Sequence, residues 1–235
     1  MLNAVITGAS SGIGWALVKE LSAKGAYVLG TGRNRQALAE LKKMLGERFE
    51  YTVCDLANLS CVDEIARKAS ERFSTLDVLV NNAGYGVAKN LSEMMPEETY
   101  AMVMVNLAAP LALTQRLLPT LHPGSTVVNV ETAGIHVLMN RLPLYGATKI
   151  ALHYASKALR RELQARGVRL LEVFPGVVDT PFHERAGLPA SLKGVSAEKV
   201  AREIVNAIEG GKEKLYIPWY MGILRIFGPY LPAIY

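Results

Sequence analysis

The sequence predicts a doubly wound α/β domain, with a mainly parallel seven-stranded sheet flanked by helices on both faces. Three observations carry this expectation. Apolar runs of strand length alternate strictly with segments of helical period along the chain. Several of those runs are apolar throughout, as strands covered on both faces must be. No linker, internal repeat or low-complexity stretch divides the 235 residues, so they read as one domain.

The elements follow in order. Apolar runs place strands near 2–6, 26–31, 49–54, 78–81, 125–130, 169–174 and 215–217. Helical periodicity fills the gaps near 12–24, 35–46, 59–73, 96–121, 145–166 and 197–209. A sheet of this kind holds its ligand at the carboxyl ends of the strands, so the turns leaving the strands are where chemistry is sought. The main domain spans 1–217, and 218–235 forms an apolar tail.

The first such turn is Thr7-Gly8-Ala9-Ser10-Ser11-Gly12-Ile13-Gly14, directly between a strand and a helix. Missing β-carbons let the backbone approach a diphosphate, and the helix that follows aims its free N–H groups at the anion. This is a Rossmann-type dinucleotide signature, with Gly8, Ser10, Ser11, Gly12, Ile13 and Gly14 as contacts. A cofactor with a free ribose 2′-hydroxyl meets an acidic residue about 20 residues further on. Here Gly32 stands at that place and Arg33 follows it. A guanidinium chelates a 2′-phosphate that a carboxylate would repel, so NADP(H) is preferred over NAD(H), with Arg35 a second basic candidate. Asp55 and Leu56 close the third strand, where a carboxylate accepts from an adenine amino group. Asn82, Ala83 and Gly84 close the fourth, at the crevice edge.

Tyr145 and Lys149 stand four apart at the start of a long helix, hence on one face of it. At roughly 4 Å and an effective dielectric of about 20, an ammonium attracts a phenolate by about 4 kcal/mol, roughly 3 pKa units. Burial of the phenol offsets part of that gain.

Composition narrows the classes. A net charge of +5 and a pI near 9.2 suit an anionic small ligand; the basic residues are spread rather than striped, which gives no case for nucleic acid. Cys54 and Cys61, without a CxxC pair or a histidine cluster, read as reduced thiols in a reducing compartment. No metal site is expected. The first residues already form a strand rather than a signal segment, so the cytoplasm is the default location.

Taken together, Thr7-Gly8-x-x-x-Gly12-x-Gly14, Asn81-Asn82-Ala83-Gly84, Asn106, Tyr145-x-x-x-Lys149 and Pro175-Gly176 with Thr180 resemble the short-chain dehydrogenase/reductase family over about residues 2–217. The resemblance implies an oxidoreductase that interconverts a carbonyl and an alcohol. In it Tyr145 is the general acid/base, Lys149 lowers the phenol pKa and binds the nicotinamide ribose, and Asn106 holds a water for proton return. Pro175 and Gly176 shape the nicotinamide pocket and Thr180 binds the carboxamide. The family serine that steadies the substrate oxygen falls at Thr132, thirteen residues before Tyr145. Where the family typically has two serines, this chain has Glu131-Thr132. Strand alternation turns Glu131 away from the substrate, as a partner in an ion pair behind the site.

By the same resemblance 179–195 is a lid, with Phe182, His183 and Leu188 touching substrate. Ile135, His136, Val137, Leu138 and Met139 form another wall, and His153 is a packing or interface histidine. The lining implies a hydrophobic ketone, aldehyde or alcohol, and the family implies a homodimer or homotetramer through helices 96–121 and 145–166. The tail holds one charged side chain, three prolines and two glycines. It covers the substrate pocket or a subunit interface, makes a peripheral membrane contact, or is disordered; its composition disfavours a spanning helix. Two other functions stay open: a non-catalytic NADP-binding or interaction protein on this scaffold, and a reductase of 3-oxoacyl thioesters. The latter wants a basic patch at the pocket mouth, for which Arg141 and Arg185 are the candidates.

Overall fold

Ala4, Val5 and Ile6 are consecutive and wholly buried, which a strand achieves only when helices cover both of its faces. They belong to β1 (Asn3–Thr7), followed by α1 (Gly12–Ala23), β2 (Tyr27–Gly32), α2 (Arg35–Leu45), β3 (Phe49–Val53), α3 (Leu59–Arg72) and β4 (Leu76–Asn81). Next come α4 (Pro96–Val103), a π-helical turn at Met104–Ala108 and α5 (Ala109–Leu117), which run on without a break. Then follow β5 (Leu121–Val130), α6 (Pro143–Gln164), β6 (Arg169–Pro175), β7 (Val178–Asp179), α7 (Phe182–Arg185), β8 (Val195–Ser196), α8 (Ala197–Glu209), β9 (Lys214–Ile217) and α9 (Leu224–Phe227). This computed structural model describes residues 2–189 and 194–231.

Seven parallel strands form the main sheet in the order β3-β2-β1-β4-β5-β6-β9. The order reverses between β1 and β4, so the ligand crevice opens at the carboxyl ends of those two strands. One face is covered by α1, α2 and α8, through Leu17, Leu38 and Ile204 among others. The other is covered by α3, α5 and α6, through Ile65, Leu113 and Leu163. The seven expected strands and the helices between them are all present. Strand β5 begins four residues early, at Leu121, which pairs with Leu76 across a register shift. His122-Pro123-Gly124 resembles a turn in sequence; that irregular register lets it stay in the strand.

The proposed lid is tied at its two ends. Val178 pairs with Val195 and Asp179 with Ser196 in a small parallel ribbon, so the intervening loop leaves and returns at one point. Its residues 190–193 lie outside the described residues, as do 232–235 of the tail. The described tail folds back: a Cβ on Gly228 would overlap the carbonyl of His136. Trp219, Phe227 and Tyr230 remain exposed on its outer side. Among the described residues, no helix is long and apolar enough to cross a membrane.

Cys54 and Cys61 correct the sequence expectation. They are joined as a disulfide, with Cα atoms 5.6 Å apart. The bend from β3 into α3 brings them within bridging range, and nothing in a seven-residue spacing announces that bend.

Candidate active site

A cavity of about 450 Å³ runs along the carboxyl ends of the strands, from Arg33 and Asp55 at one end to Phe182, Leu188 and Met221 at the other. At its centre the glycine turn brings three backbones together. Gly8 has φ +70°, and a Cβ there would stand 2.9 Å from Ala83 Cα. A Cβ on Gly14 would overlap the carbonyl oxygen of Gly8. Asn82 fastens the arrangement: its Nδ2 donates to Thr7 O at 2.9 Å, while Thr7 Oγ1 accepts the N–H groups of Asn82 and Ala83 at 3.0 Å.

Helix α1 has no acidic residue in its first turn, and the Ser11 side chain does not cap it. Ser11 Oγ instead accepts from Arg185 Nη1 at 3.0 Å, linking the lid to the turn. Free N–H groups, a positive dipole end and a lining of Ser10, Ser11, Gly12 and Ile13 fit the diphosphate of a dinucleotide. Arg33 lies at the cavity end, 3.8 Å from Asp55 Oδ2. Asp55 Oδ1 accepts from Ala57 N at 3.0 Å, and Leu56 lines the wall beside it.

The expected site residues Asn82, Ala83, Gly84, Thr132, Tyr145, Lys149, Pro175, Gly176 and Thr180 share this cavity, as do Met139, Phe182, His183 and Leu188. Tyr145 and Lys149 are both buried, with Lys149 Nζ 5.8 Å from the tyrosine ring centroid. Lys149 Nζ donates to Val130 O at 2.8 Å. The Phe182 ring closes over Tyr145 with centroids 5.1 Å apart. Thr132 Oγ1 accepts from Gly134 N at 3.1 Å and donates to Pro175 O at 3.4 Å.

Electrostatics depart from the simple pair. Burial, then the charge of Glu131, pushes the Tyr145 phenol above its ordinary range, where Lys149 was expected to lower it. Lys149 lies over the face of the Tyr145 ring rather than paired with its hydroxyl, and its Nζ is given to Val130 O. Full burial costs up to roughly 3–5 pKa units, so burial wins. It also lowers Lys149 to about 8, opposed by Glu131.

Asn106 stands within the π turn, fully buried behind the cavity wall. Its Nδ2 donates to Tyr85 O at 2.8 Å and Thr148 Oγ1 at 3.0 Å, and its Oδ1 accepts from Tyr85 N at 2.8 Å. A Cβ on Gly84 would meet both Lys149 Nζ and Asn106 Oδ1 at about 4 Å, so the three gather at one point.

His136 is a correction. It lies outside the cavity wall, paired through Nε2 with Tyr216 Oη at 3.0 Å and stacked on that ring. Burial lowers its pKa to about 4. Ile135 is packed into a small core with Phe174, and Leu138 points to solvent, so Val137 and Met139 make the expected wall without them. The tail supplies the wall that sequence reasoning left open, through Met221 and Leu224.

Sequence reasoning placed Glu131 in an ion pair behind the site but missed its partners in a buried ionic group. Glu131, His153 and Glu172 each bring one donor atom within 4.8 Å of the others. His153 is thus a hydrogen-bond partner of Glu172, at 2.5 Å, rather than a packing residue alone. A glutamate inside the apolar run Leu170-Leu171-Glu172-Val173-Phe174 was the available signal.

A parallel sheet whose switch point carries a bare glycine turn, with a buried tyrosine–lysine pair in the same cavity, is the architecture of a nucleotide-binding α/β oxidoreductase. The chain belongs to the short-chain dehydrogenase family, whose profile matches residues 2–188. It is 32% identical over 207 residues to an uncharacterized oxidoreductase of Staphylococcus epidermidis, covering 87% of this chain and 90% of that one. A counterpart from Staphylococcus saprophyticus is 34% identical over 185 residues, covering 76% and 79%. Among solved structures, a short-chain dehydrogenase from Streptomyces avermitilis superposes with a TM-score of 0.84 at 27% identity, over 95% of this chain and 90% of that one. An alcohol dehydrogenase from Thermococcus sibiricus, complexed with 5-hydroxy-NADP, gives 0.82 at 28%, over 92% and 95%. A Sphingobium yanoikuyae short-chain dehydrogenase in complex with NADPH shares the fold, with a TM-score of 0.85 at 21% identity, over 94% and 89%.

Proposed function

We propose that this protein is an NADP(H)-dependent reductase of a hydrophobic ketone or aldehyde. One observation carries the reading: Tyr145 and Lys149 stand in the wall of the same cavity as the glycine turn and Arg33. NADPH, when bound, supplies the hydride. The chain does the rest. Arg33 faces the end where a 2′-phosphate would sit, and the open first turn of α1 receives the diphosphate. Thr180, packed against Gly12, and the Pro175-Gly176 turn hold the nicotinamide end.

Tyr145 donates its phenolic proton to the carbonyl oxygen as negative charge develops there, and Thr132 Oγ1 steadies that oxygen. A phenol held protonated by burial is suited to the reductive direction. Lys149, beside it, supplies positive charge to the phenolate left behind. Phe182, Leu188, Met139 and Met221 surround the substrate and exclude water, which favours an apolar compound. Exposed Tyr100, Ile150 and Tyr154 on α4 and α6 support assembly of copies through those helices.

The test is NADPH consumption over a panel of ketones and aldehydes, with Tyr145→Phe alongside. The expected result is loss of turnover by about 10² or more with NADPH affinity kept. Full turnover in that variant would overturn the mechanism. NADPH binding without turnover of any compound by the wild type would favour the non-catalytic alternative.

A further inference from the structure

The polar residues of α6 form a stripe. Tyr145, Lys149, His153, Ser156 and Arg160 follow one another at steps of three or four, which puts all five along one side of the helix. Beneath that side, strand pairing continues one residue past β5: Glu131 N donates to Val173 O at 2.8 Å. Asn129 pairs with Glu172, and side chains two apart share a face, so Glu131 and Glu172 meet under the stripe. Neither carboxyl group has exposed surface.

Their partners make them unequal. Glu172 receives His153 Nδ1 at 2.5 Å and Arg160 Nη2 at 2.6 Å. Burial works to raise it, but these two donors hold it below the ordinary carboxylate value. Glu131 Oε1 receives only Ser156 Oγ, at 3.4 Å, and Oε2 has no hydrogen-bond partner; His153 Nδ1 lies 3.5 Å from it. A carboxyl group that carries a hydrogen donates it to the neighbouring Glu172 carboxylate, which gives the orphaned oxygen a partner. In front of Glu131 lies Lys149, whose Nζ donates to the carbonyl of the peptide unit leading into Glu131. Both residues line the cavity. Behind Glu131, His153 is partly open to solvent.

We propose that Glu131 is a positioning residue that stores a proton behind the Tyr145–Lys149 pair and returns it to Lys149 after each reduction. This rests on the mechanism proposed above. The balance is one proton per turnover. Tyr145 O–H breaks as the substrate O–H forms; a Lys149 N–H then breaks as Tyr145 O–H re-forms; the Glu131 O–H breaks as that Lys149 N–H re-forms; and solvent refills Glu131 by way of His153. No electron moves in these steps. Burial, with the neighbouring Glu172 charge, raises Glu131, and burial lowers Lys149, which draws their affinities for a proton toward each other. The titratable groups facing Glu131 are Tyr145, Lys149 and His153 from α6, Glu172 from β6 and Tyr216 from β9; Arg160 reaches Glu172, and His136 lies against His153.

The first test needs no substrate. Infrared spectra of the protein at neutral pH should show a protonated-carboxyl band that vanishes in Glu131→Gln. The second is the pH profile of the wild type and of Glu131→Gln with a carbonyl that the wild type reduces. The variant should lose about tenfold in kcat, keep its KM for NADPH, and regain turnover with rising imidazole buffer, to which the wild type is indifferent. Thermal unfolding confirms that the variant folds; Glu131→Ser takes its place if it does not. An unchanged infrared band, or a wild-type kcat and pH profile in the variant, overturns the proton store. That outcome with Tyr145→Phe still inactive leaves the reductase mechanism standing. Wild-type inactivity on every carbonyl removes both.

Discussion

Thr132 Oγ1 accepts the backbone N–H of Gly134 at 3.1 Å, so the hydroxyl proposed to steady the substrate oxygen also caps the helical turn that follows it. Two losses are therefore combined in any variant without the hydroxyl. Thr132→Ser keeps both roles and should turn over within a few-fold of wild type. Thr132→Val should lose about 10²-fold in turnover and about 1 kcal/mol of stability with the cap. Steady-state rates and thermal unfolding, measured on both variants, separate the two effects. Equal turnover in both would remove Thr132 from the mechanism.

Arg33 and Asp55 are 3.8 Å apart and both substantially exposed, so their attraction contributes little to stability. The arginine is free to serve a ligand. Removing a charged donor to a 2′-phosphate costs about 1.5–3 kcal/mol, roughly 10- to 150-fold in affinity. Arg33→Ala should raise the Kd for NADPH by that factor and leave NADH unchanged, as read by fluorescence titration. A parallel loss for both cofactors would place the guanidinium elsewhere.

Gly14 stands where a Cβ would overlap the backbone oxygen of Gly8. That neighbour is main chain, held by β1 on one side and α1 on the other, and cannot swing aside. Gly14→Ala should cost about 1–3 kcal/mol through overpacking and weaken NADPH binding along with stability. A thermal midpoint and Kd equal to wild type would show that the turn is looser than its packing.

The raised pKa of Glu131 has a definite sign in stability. Between about 4.5 and about 9 the folded carboxyl holds a proton that the unfolded one has released. Unfolding then releases a proton, so stability falls as pH rises through that window. Lys149, lowered to about 8, acts in the opposite sense above that pH, and His136, lowered from 6.5 to about 4, does so below 6.5, so Glu131 is read from the difference between variant and wild type over pH 5–8. Urea denaturation across it should show Glu131→Gln gaining on the wild type as pH rises. Parallel curves would mean that Glu131 is ionised in the folded protein.

What was legible in the sequence is what depends on short spacings. Strands such as Ala4-Val5-Ile6 announce themselves because both of their faces are covered, and the glycine turn and the Tyr145–Lys149 pair each lie within one stretch of chain. The rest depends on elements meeting across the fold. His136 left the substrate wall because Tyr216, 80 residues on, takes its ring nitrogen. Glu131 and Glu172 meet only once β5 and β6 pair, and Cys54 reaches Cys61 only around the bend into α3. The Tyr145 pKa depends on burial, which no i, i+4 spacing reveals. The polar stripe of α6 was there to be read, since its period is that of a helix.

The π turn between α4 and α5 holds one more residue than an α-helical turn would need. Each helical residue advances the face by about 100°, so that extra residue re-aims everything on one side of it. Before the turn, Met102 packs toward Tyr145 and Leu188; after it, Leu113 and Leu117 pack under α3. A one-residue deletion there would leave a more regular rod that can satisfy the pocket or the core, but not both. The irregularity is what allows a single helix to serve as wall and as foundation.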